Sequence, residues 1–216
     1  MSSPAMNDYS KFAALSPTAY ADAQLGRSQF MEMGIHELWP HTPRIAGPAY
    51  PVKCPPGDNL MLHAAIYRAA PGAVIVVQAG DVDYALAGGN VCAIAQQRGI
   101  AGFVMDGVIR DVAEVRAAQF PVFARGVVPI PGQKQALGPL HQPLCCGGVT
   151  VHPGDVVVAD EEGIAVIPAA QQEAIWAKAQ QRTEQDAARS LKDWEMNHRA
   201  KITGLLQSLG FEDEEA

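Results

Sequence analysis

Several things are scarce in this chain of 216 residues, and each shortage removes a class of protein. Positive charge is short: 16 Lys and Arg stand against 23 Asp and Glu, a formal net charge of −7. A broad phosphate-binding surface needs an excess of Lys and Arg, so nucleic acid is not an expected partner. Long apolar runs are missing too; VIVV at Val74 to Val77 is among the longest and is far too short to cross a bilayer. The opening MSSPAMNDYSKF lacks the basic-then-apolar order of a secretory signal, so no membrane partner is expected and the chain reads as cytoplasmic. Of the cysteines, Cys54, Cys92, Cys145 and Cys146, none makes a CxxC spacing or has a His partner at zinc distances. The vicinal pair could close only a strained disulfide, so reduced, half-buried thiols are expected and zinc is not. No internal repeat is visible.

What is present suits an ordinary globular protein. Hydrophobic residues make up 48% and charged residues 18%, enough to bury a proper core in one domain with appendages. SPTAYADAQLG predicts a short helix capped by Ser16, with Pro17 in its first turn and Gly26 at its end. Six prolines between Pro40 and Pro56 predict a loop-rich stretch around one strand, Arg44 to Tyr50. Asp58 can cap a helix running through Arg68, and PGAVIVVQAG reads as a turn entering a buried strand. Helix (Val91 to Arg98), strand (Gly102 to Met105), helix (Val112 to Ala118) and strand (Val122 to Ala124) then alternate, which predicts crossovers and a parallel sheet. From Gly148 to Pro168, GVTV, VVVAD and IAVIP are joined by tight turns, the pattern of an antiparallel meander. A long helical tail follows, with Trp176, Leu191, Trp194, Met196, Ile202, Leu205 and Leu206 calling for cover from the chain's own sheet or from another subunit. The closing FEDEEA reads as acidic and frayed. The expected class is therefore α/β, with a mixed sheet, divided into residues 1–168 and a helical extension, 169–216.

The segment GGNVCAIAQQRGIAGFVMDGVIRD, Gly88 to Asp111, carries most of the chemical signal. A glycine pair ahead of a helix leaves backbone N–H groups free to hold an anion, which makes Gly88, Gly89, Asn90 and Val91 candidates for substrate binding. Arg110 follows an apolar strand, where its fork can grip a carboxylate or enolate oxygen, and Asp111 beside it can hold a hard cation or cap the next helix. The carboxyl ends of strands are where α/β sheets place ligands. Lys134, in the Pro/Gly loop PIPGQKQALG, joins them only if that loop folds over Arg110. The six histidines, His36, His41, His63, His141, His152 and His198, show no mutual spacing for a metal and are expected to be structural or at the surface.

Three blocks in this order, IAGPAYPVKCPPGDNLMLHAAI, RGIAGFVMDGVIRD and GGVTVHPGDVVVADEEGIAVIP, resemble the family that joins 4-hydroxy-4-methyl-2-oxoglutarate aldolases with regulator-of-ribonuclease-activity-A-like (RraA-like) proteins, over roughly Thr18 to Pro168. The resemblance implies a swivelling β/β/α domain. It implies that Asp111 binds a divalent ion, Mg²⁺ or Mn²⁺, in a water-rich shell, and that Arg110 contacts the 2-oxo oxygen. The Gly88 to Val91 backbone would hold the pyruvoyl carboxylate, with Lys134 near it. An acidic residue from a neighbouring subunit, matched best by Asp22, would complete the site in a trimer or dimer of trimers. One departure stands out. The aldolases carry an acid in a D-x20-R-D pattern, and this chain has Gly89 there. Restoring the acid with Gly89→Asp is expected to raise aldol cleavage.

The resemblance implies chemistry on a small 2-oxo acid. Breaking the C3–C4 bond of a 4-hydroxy-2-oxo acid gives pyruvate enolate and a second carbonyl compound, and loss of CO₂ from oxaloacetate gives the same enolate. One site can serve both reactions. The alternatives are a non-catalytic, protein-binding regulator and a lyase of the same fold with another substrate.

Overall fold

A computed structural model describes residues 9–23 and 25–211; Gln24 and most of the acidic end, Glu212 to Ala216, lie outside the described residues, and so does the expectation of fraying there. Two short helices open the described chain, α1 (Ser10–Ala13) and α2 (Pro17–Asp22), followed by β1 (His36–Glu37) and β2 (Ile45–Lys53). Helix α3 (Leu60–Ile66), β3 (Val74–Gln78), β4 (Ala85–Ala87) and α4 (Gly89–Gln97) come next. Then follow β5 (Gly102–Asp106), β6 (Val108–Ile109), α5 (Val112–Ala117), β7 (Val122–Ala124) and β8 (Gly126–Val127). The chain continues through β9 (Leu144–Cys146), β10 (Val149–Val151), β11 (Val156–Asp160) and β12 (Gly163–Ile167) to α6 (Gln172–Ala187) and α7 (Leu191–Ser208).

The main sheet has the order β1-β7-β5-β3-β2-β11-β12. Strands β2, β3, β5 and β7 run parallel, and β11, β12 and β1 are antiparallel to their neighbours, so the expected mixed α/β sheet is present. The central strands are buried on both faces, which is why VIVV reads as a continuous apolar run and not an alternation. Ile75 and Val77 pack under α3 and α4 with Leu62, Ile66 and Cys92, while Val74 and Val76 meet Val149 and Val151 of the meander on the other face.

Strand β2 is longer than the Arg44 to Tyr50 stretch that the prolines predict, and its partners explain this. Ile45 to Pro48 pair antiparallel with β11, and Ala49 to Lys53 pair parallel with β3. Pro48 closes the β11 ladder, so its missing N–H falls where one partner hands over to the next. Helix α2 is also shorter than predicted: it stops at Asp22, not Gly26, and Ser16 makes no side-chain cap. The single long tail is two helices. Ser190 restarts the chain as α7 by accepting from Asp193 N–H at 3.1 Å. Helix α6 buries Ile175 and Ala179 beside Tyr20 and the β11–β12 pair, whereas α7 has no buried residue. Among the described residues no helix is long and apolar enough to cross a membrane.

The small parallel sheet β4-β6-β8 positions the site. Each of its strands continues, after a short break, from one main-sheet strand: β3 into β4, β5 into β6, β7 into β8. Their carboxyl ends therefore converge, and the residues just beyond β4 and β6 are Gly88 and Arg110.

Candidate active site

A small pocket of about 90 Å³ opens at those strand ends, lined by Gly88, Asn90, Val91, Arg110, Asp111 and Lys134 on one side and by Asn59 and His63 of the α3 region on another. Gly88 is the N-cap of α4 and supplies no side chain. The N–H of Gly89 is taken by Asp111 Oδ2 at 3.2 Å, while those of Asn90 and Val91 have no partner among the described residues. An uncapped helix start of this kind presents donors and a partial positive charge to an anion.

Arg110 and Asp111 reach the same pocket because of one backbone feature. Arg110 N–H still pairs with Ala87 O at 2.9 Å, as the last rung between β4 and β6. Asp111 then turns left-handed, at φ 56°, into α5. Aspartate is among the few residues that tolerate this conformation. The turn sets the Arg110 Nε 3.5 Å from Asp111 Oδ2, and both side chains remain part-exposed. Asp111 Oδ1 takes no hydrogen bond from the described residues, so one carboxylate oxygen is free to face a ligand.

Lys134 joins the site by a mechanism the sequence does not display. Asp58 Oδ2 accepts from the N–H groups of Gln135 and Ala136 at 2.5 and 3.0 Å, and Asp58 Oδ1 accepts from Leu60 N–H at the start of α3. Gln133 exchanges backbone bonds with Gly57 and Asn59, and Ala85 N–H reaches Ile130 O at 2.7 Å. The 130s loop is thus tied to α3 and β4, with Lys134 at the pocket. Burial works against the Asp58 carboxylate, but the Gln135, Leu60 and Ala136 N–H groups and the charge of Lys134 outweigh it and hold its pKa below the usual carboxylate value.

Two pocket residues were not expected. Asn59 is buried, and His63, one turn further along α3, is half-buried; the expectation of a purely structural or surface His63 did not anticipate this. The i, i+4 spacing in DNLMLHAAI was the available signal, but by itself it is common on helices. Burial, then the charge of Lys134, push the His63 imidazole below its ordinary pKa, with Asp58 partly offsetting them. Beyond His63 the pocket meets a hollow of about 180 Å³ between Ile66, Tyr67, Val91 and Ile94.

Asp22 ends α2, on the side of the chain where α6 packs, and does not line this pocket. All four cysteines are free, and burial pushes the Cys54 and Cys92 thiols up to about 12. Only Cys145 is exposed, so the half-buried thiols expected from the sequence are three buried ones and an exposed one.

A family model described as RraA-like, Aldolase/RraA, matches residues 18–166. The chain belongs to the RraA-like family. A Halalkalibacterium halodurans protein named "Putative 4-hydroxy-4-methyl-2-oxoglutarate aldolase" is 44% identical over 147 residues, covering 68% of this chain and 70% of that protein. A Burkholderia multivorans protein of the same name is 36% identical over 124 residues, covering 57% and 75%. Among solved structures, an uncharacterized protein from Pseudomonas syringae superposes with a TM-score of 0.75 at 28% identity, covering 88% of this chain and 92% of that one. The RNA-processing inhibitor RraA from Thermus thermophilis superposes at 0.60 and 29%, covering 64% and 84%. The RraA-like fold therefore holds both aldolase-named relatives and an inhibitor.

The donor set allows a specific judgement about a metal. Among the described residues no three His, Cys, Asp or Glu side chains gather as a protein cage. A single free carboxylate oxygen at the edge of a polar pocket instead fits a hard cation that keeps most of its shell as water and substrate oxygens.

Proposed function

We propose that this RraA-like protein is a divalent-metal-dependent lyase for small 2-oxo acids, cleaving 4-hydroxy-2-oxo acids to pyruvate and decarboxylating oxaloacetate at the same site. The convergence of Arg110, Asp111 and the uncapped start of α4 on one pocket carries this reading. Asp111 would hold Mg²⁺ or Mn²⁺, which supplies Lewis acidity at the 2-oxo oxygen. The Asn90 and Val91 N–H groups suit the carboxylate, and the Arg110 guanidinium suits the ketone oxygen, where negative charge grows as C3–C4 breaks and its electron pair stays with the pyruvate fragment. The C4 hydroxyl proton passes to water at the mouth of the pocket as C4 becomes a carbonyl, and C3 of the enolate takes a proton back from water to give pyruvate. Lys134 adds positive charge at the same pocket. Asp22 would come from a neighbouring copy in a trimer or dimer of trimers.

The likeness to the Thermus inhibitor favours a second reading, a protein-binding regulator. Pyruvate release from 4-hydroxy-4-methyl-2-oxoglutarate and from oxaloacetate, with Mg²⁺ and with excess chelator, separates the two. Metal-dependent release that is lost in Asp111→Ala is expected. Full turnover in chelator overturns the metal chemistry, and no turnover on either acid leaves the regulator or a lyase of the same fold with another substrate.

A further inference from the structure

Asn59 Oδ1 and His63 Nε2 are buried side-chain atoms with no hydrogen-bond partner among the described residues, and both residues belong to the wall of the Arg110–Asp111 pocket. Asn59 is only 5% exposed. Its Nδ2 donates to Ala85 O at 3.4 Å, which sets Oδ1 as the unsatisfied end. A buried acceptor or donor left unmatched costs on the order of 1–3 kcal/mol, and native proteins leave few without a reason. The other unmatched atoms of this kind among the described residues, on Ser16, Trp39 and Gln172, lie away from the pocket.

We propose that Asn59 and His63 form a hydroxyl-recognition subsite, at which the C4 hydroxyl of a 4-hydroxy-2-oxo acid donates to Asn59 Oδ1 and accepts from His63 Nε2. This rests on the 2-oxo acid reading of the same pocket. Elimination leads to a hydroxyl. Asn59 Oδ1 only accepts, so a carboxylate placed there meets a lone pair and an apolar group leaves both atoms bare. An ammonium would satisfy Oδ1 but would lie in the field of Lys134. Among the groups of a 4-hydroxy-2-oxo acid, the hydroxyl is the one that donates and accepts through a single heavy atom. Burial and the Lys134 charge favour the neutral imidazole, whose Nε2–H tautomer supplies the donor for this bond. The arrangement selects by an unpaired-group penalty: a substrate lacking the hydroxyl leaves both protein atoms desolvated and unmatched.

The test compares a hydroxylated with a non-hydroxylated substrate of the same pocket in wild type, Asn59→Ala, His63→Ala and His63→Gln. Loss of a matched hydroxyl contact is expected to lower kcat/KM for 4-hydroxy-2-oxoglutarate by about a hundredfold in either alanine variant, at least about tenfold more than it lowers oxaloacetate decarboxylation. His63→Gln keeps an N–H donor and should recover part of the loss. Asn59 also begins α3, so the His63 variants carry the test if Asn59→Ala does not fold. Equal losses on both substrates overturn the proposal, since a pair that merely holds a water or the local structure would not discriminate. If wild type turns over neither acid, the lyase reading fails by itself. The subsite is then judged by calorimetry: wild type binding 4-hydroxy-2-oxoglutarate about tenfold or more tighter than 2-oxoglutarate, with the margin gone in His63→Ala, supports it. Equal affinity for the two acids overturns it.

Discussion

Glu114 occupies the space that a side chain at Gly89 would enter: a Cβ built on Gly89 overlaps the Glu114 carboxylate and comes within 3.0 Å of its Cβ. The neighbouring glycine has a parallel relationship, since a Cβ on Gly88 overlaps the Asp111 carboxylate and sits 3.1 Å from Arg110 Cγ. The first turn of α5 and its cap thus press two carboxylates against the two glycines that begin α4. Glu114 fills the volume that an acidic side chain at position 89 would need.

This changes what Gly89→Asp can do. The substitution has to displace Glu114 and set a second negative charge beside it, so the expected gain in aldol cleavage is withdrawn for the single variant. Gly89→Ala should cost about 1–2 kcal/mol of stability by overpacking, and Glu114→Ala should cancel most of it. Urea unfolding of the two single variants and the double variant reads the coupling directly. A coupling near zero would show that Glu114 swings aside at no cost.

Gly88→Ala should behave in the opposite way. Its Cβ pushes the Asp111 carboxylate off its position, and Asp111 is part-exposed and able to move. Stability should change by under about 1 kcal/mol while activity on a 2-oxo acid falls at least about tenfold. Unfolding midpoints and pyruvate release, measured on the same preparation, test both halves. Unchanged turnover would mean that the position of the Asp111 carboxylate does not matter to the chemistry.

Arg110→Lys should be nearly as damaging as Arg110→Ala. A lysine keeps the charge and loses the planar fork that meets more than one oxygen. The loss in kcat/KM should be about a hundredfold or more for each, as is usual when a preorganised donor to a developing oxyanion is removed. A lysine variant with most of the wild-type kcat would reduce Arg110 to a general source of positive potential.

The legibility of this chain followed the range over which each feature is determined. The strands at Gly102 and Val122 and the meander from Val149 were readable because local patterns of apolar residues and turn residues specify them. Strands β4, β6 and β8, two or three residues each, were not, because so short an apolar segment is indistinguishable from a loop until its partners are known. Gly88, Arg110 and Asp111 were legible as candidates since their spacing is local, and the structure does bring them to one pocket. Asn59 and His63 were hidden for the opposite reason: what singles them out is an unmet hydrogen bond, which exists only once the 130s loop has closed over α3.

The exposed side chains of α7 bear on assembly. Leu191, Trp194, Met196, Ile202, Leu205 and Leu206 are all solvent-facing in the single chain, and Asp22 lies outside the pocket it was expected to serve. The proposed trimer or dimer of trimers has a neighbour cover α7 and contribute Asp22. Sedimentation at micromolar concentration should show three or six copies, and Asp22→Ala should lower turnover without changing that number. An active monomer would remove the shared site.

The last prediction concerns Asp58, which places Lys134 without touching a substrate. Its carboxylate accepts three backbone N–H groups, two from the 130s loop and one from α3. Its folded pKa is depressed, so the unfolded chain binds the proton more tightly than the folded one. The stability it contributes is therefore fully present above the unfolded value of 3.8 and is lost as the pH falls through the lower folded value. Asp58→Asn should flatten that acid limb and cost about 1–3 kcal/mol at neutral pH, because an amide replaces charge-assisted acceptance by both oxygens. It should also raise KM more than it lowers kcat, since a loosened loop removes Lys134 from the pocket without altering Arg110 or Asp111. Unfolding curves between pH 2 and pH 7 and steady-state kinetics at neutral pH check the two effects separately. An Asp58→Asn variant with the wild-type acid limb would show that other carboxylates set the acid stability, and an unchanged KM would show that Lys134 holds its place without this anchor.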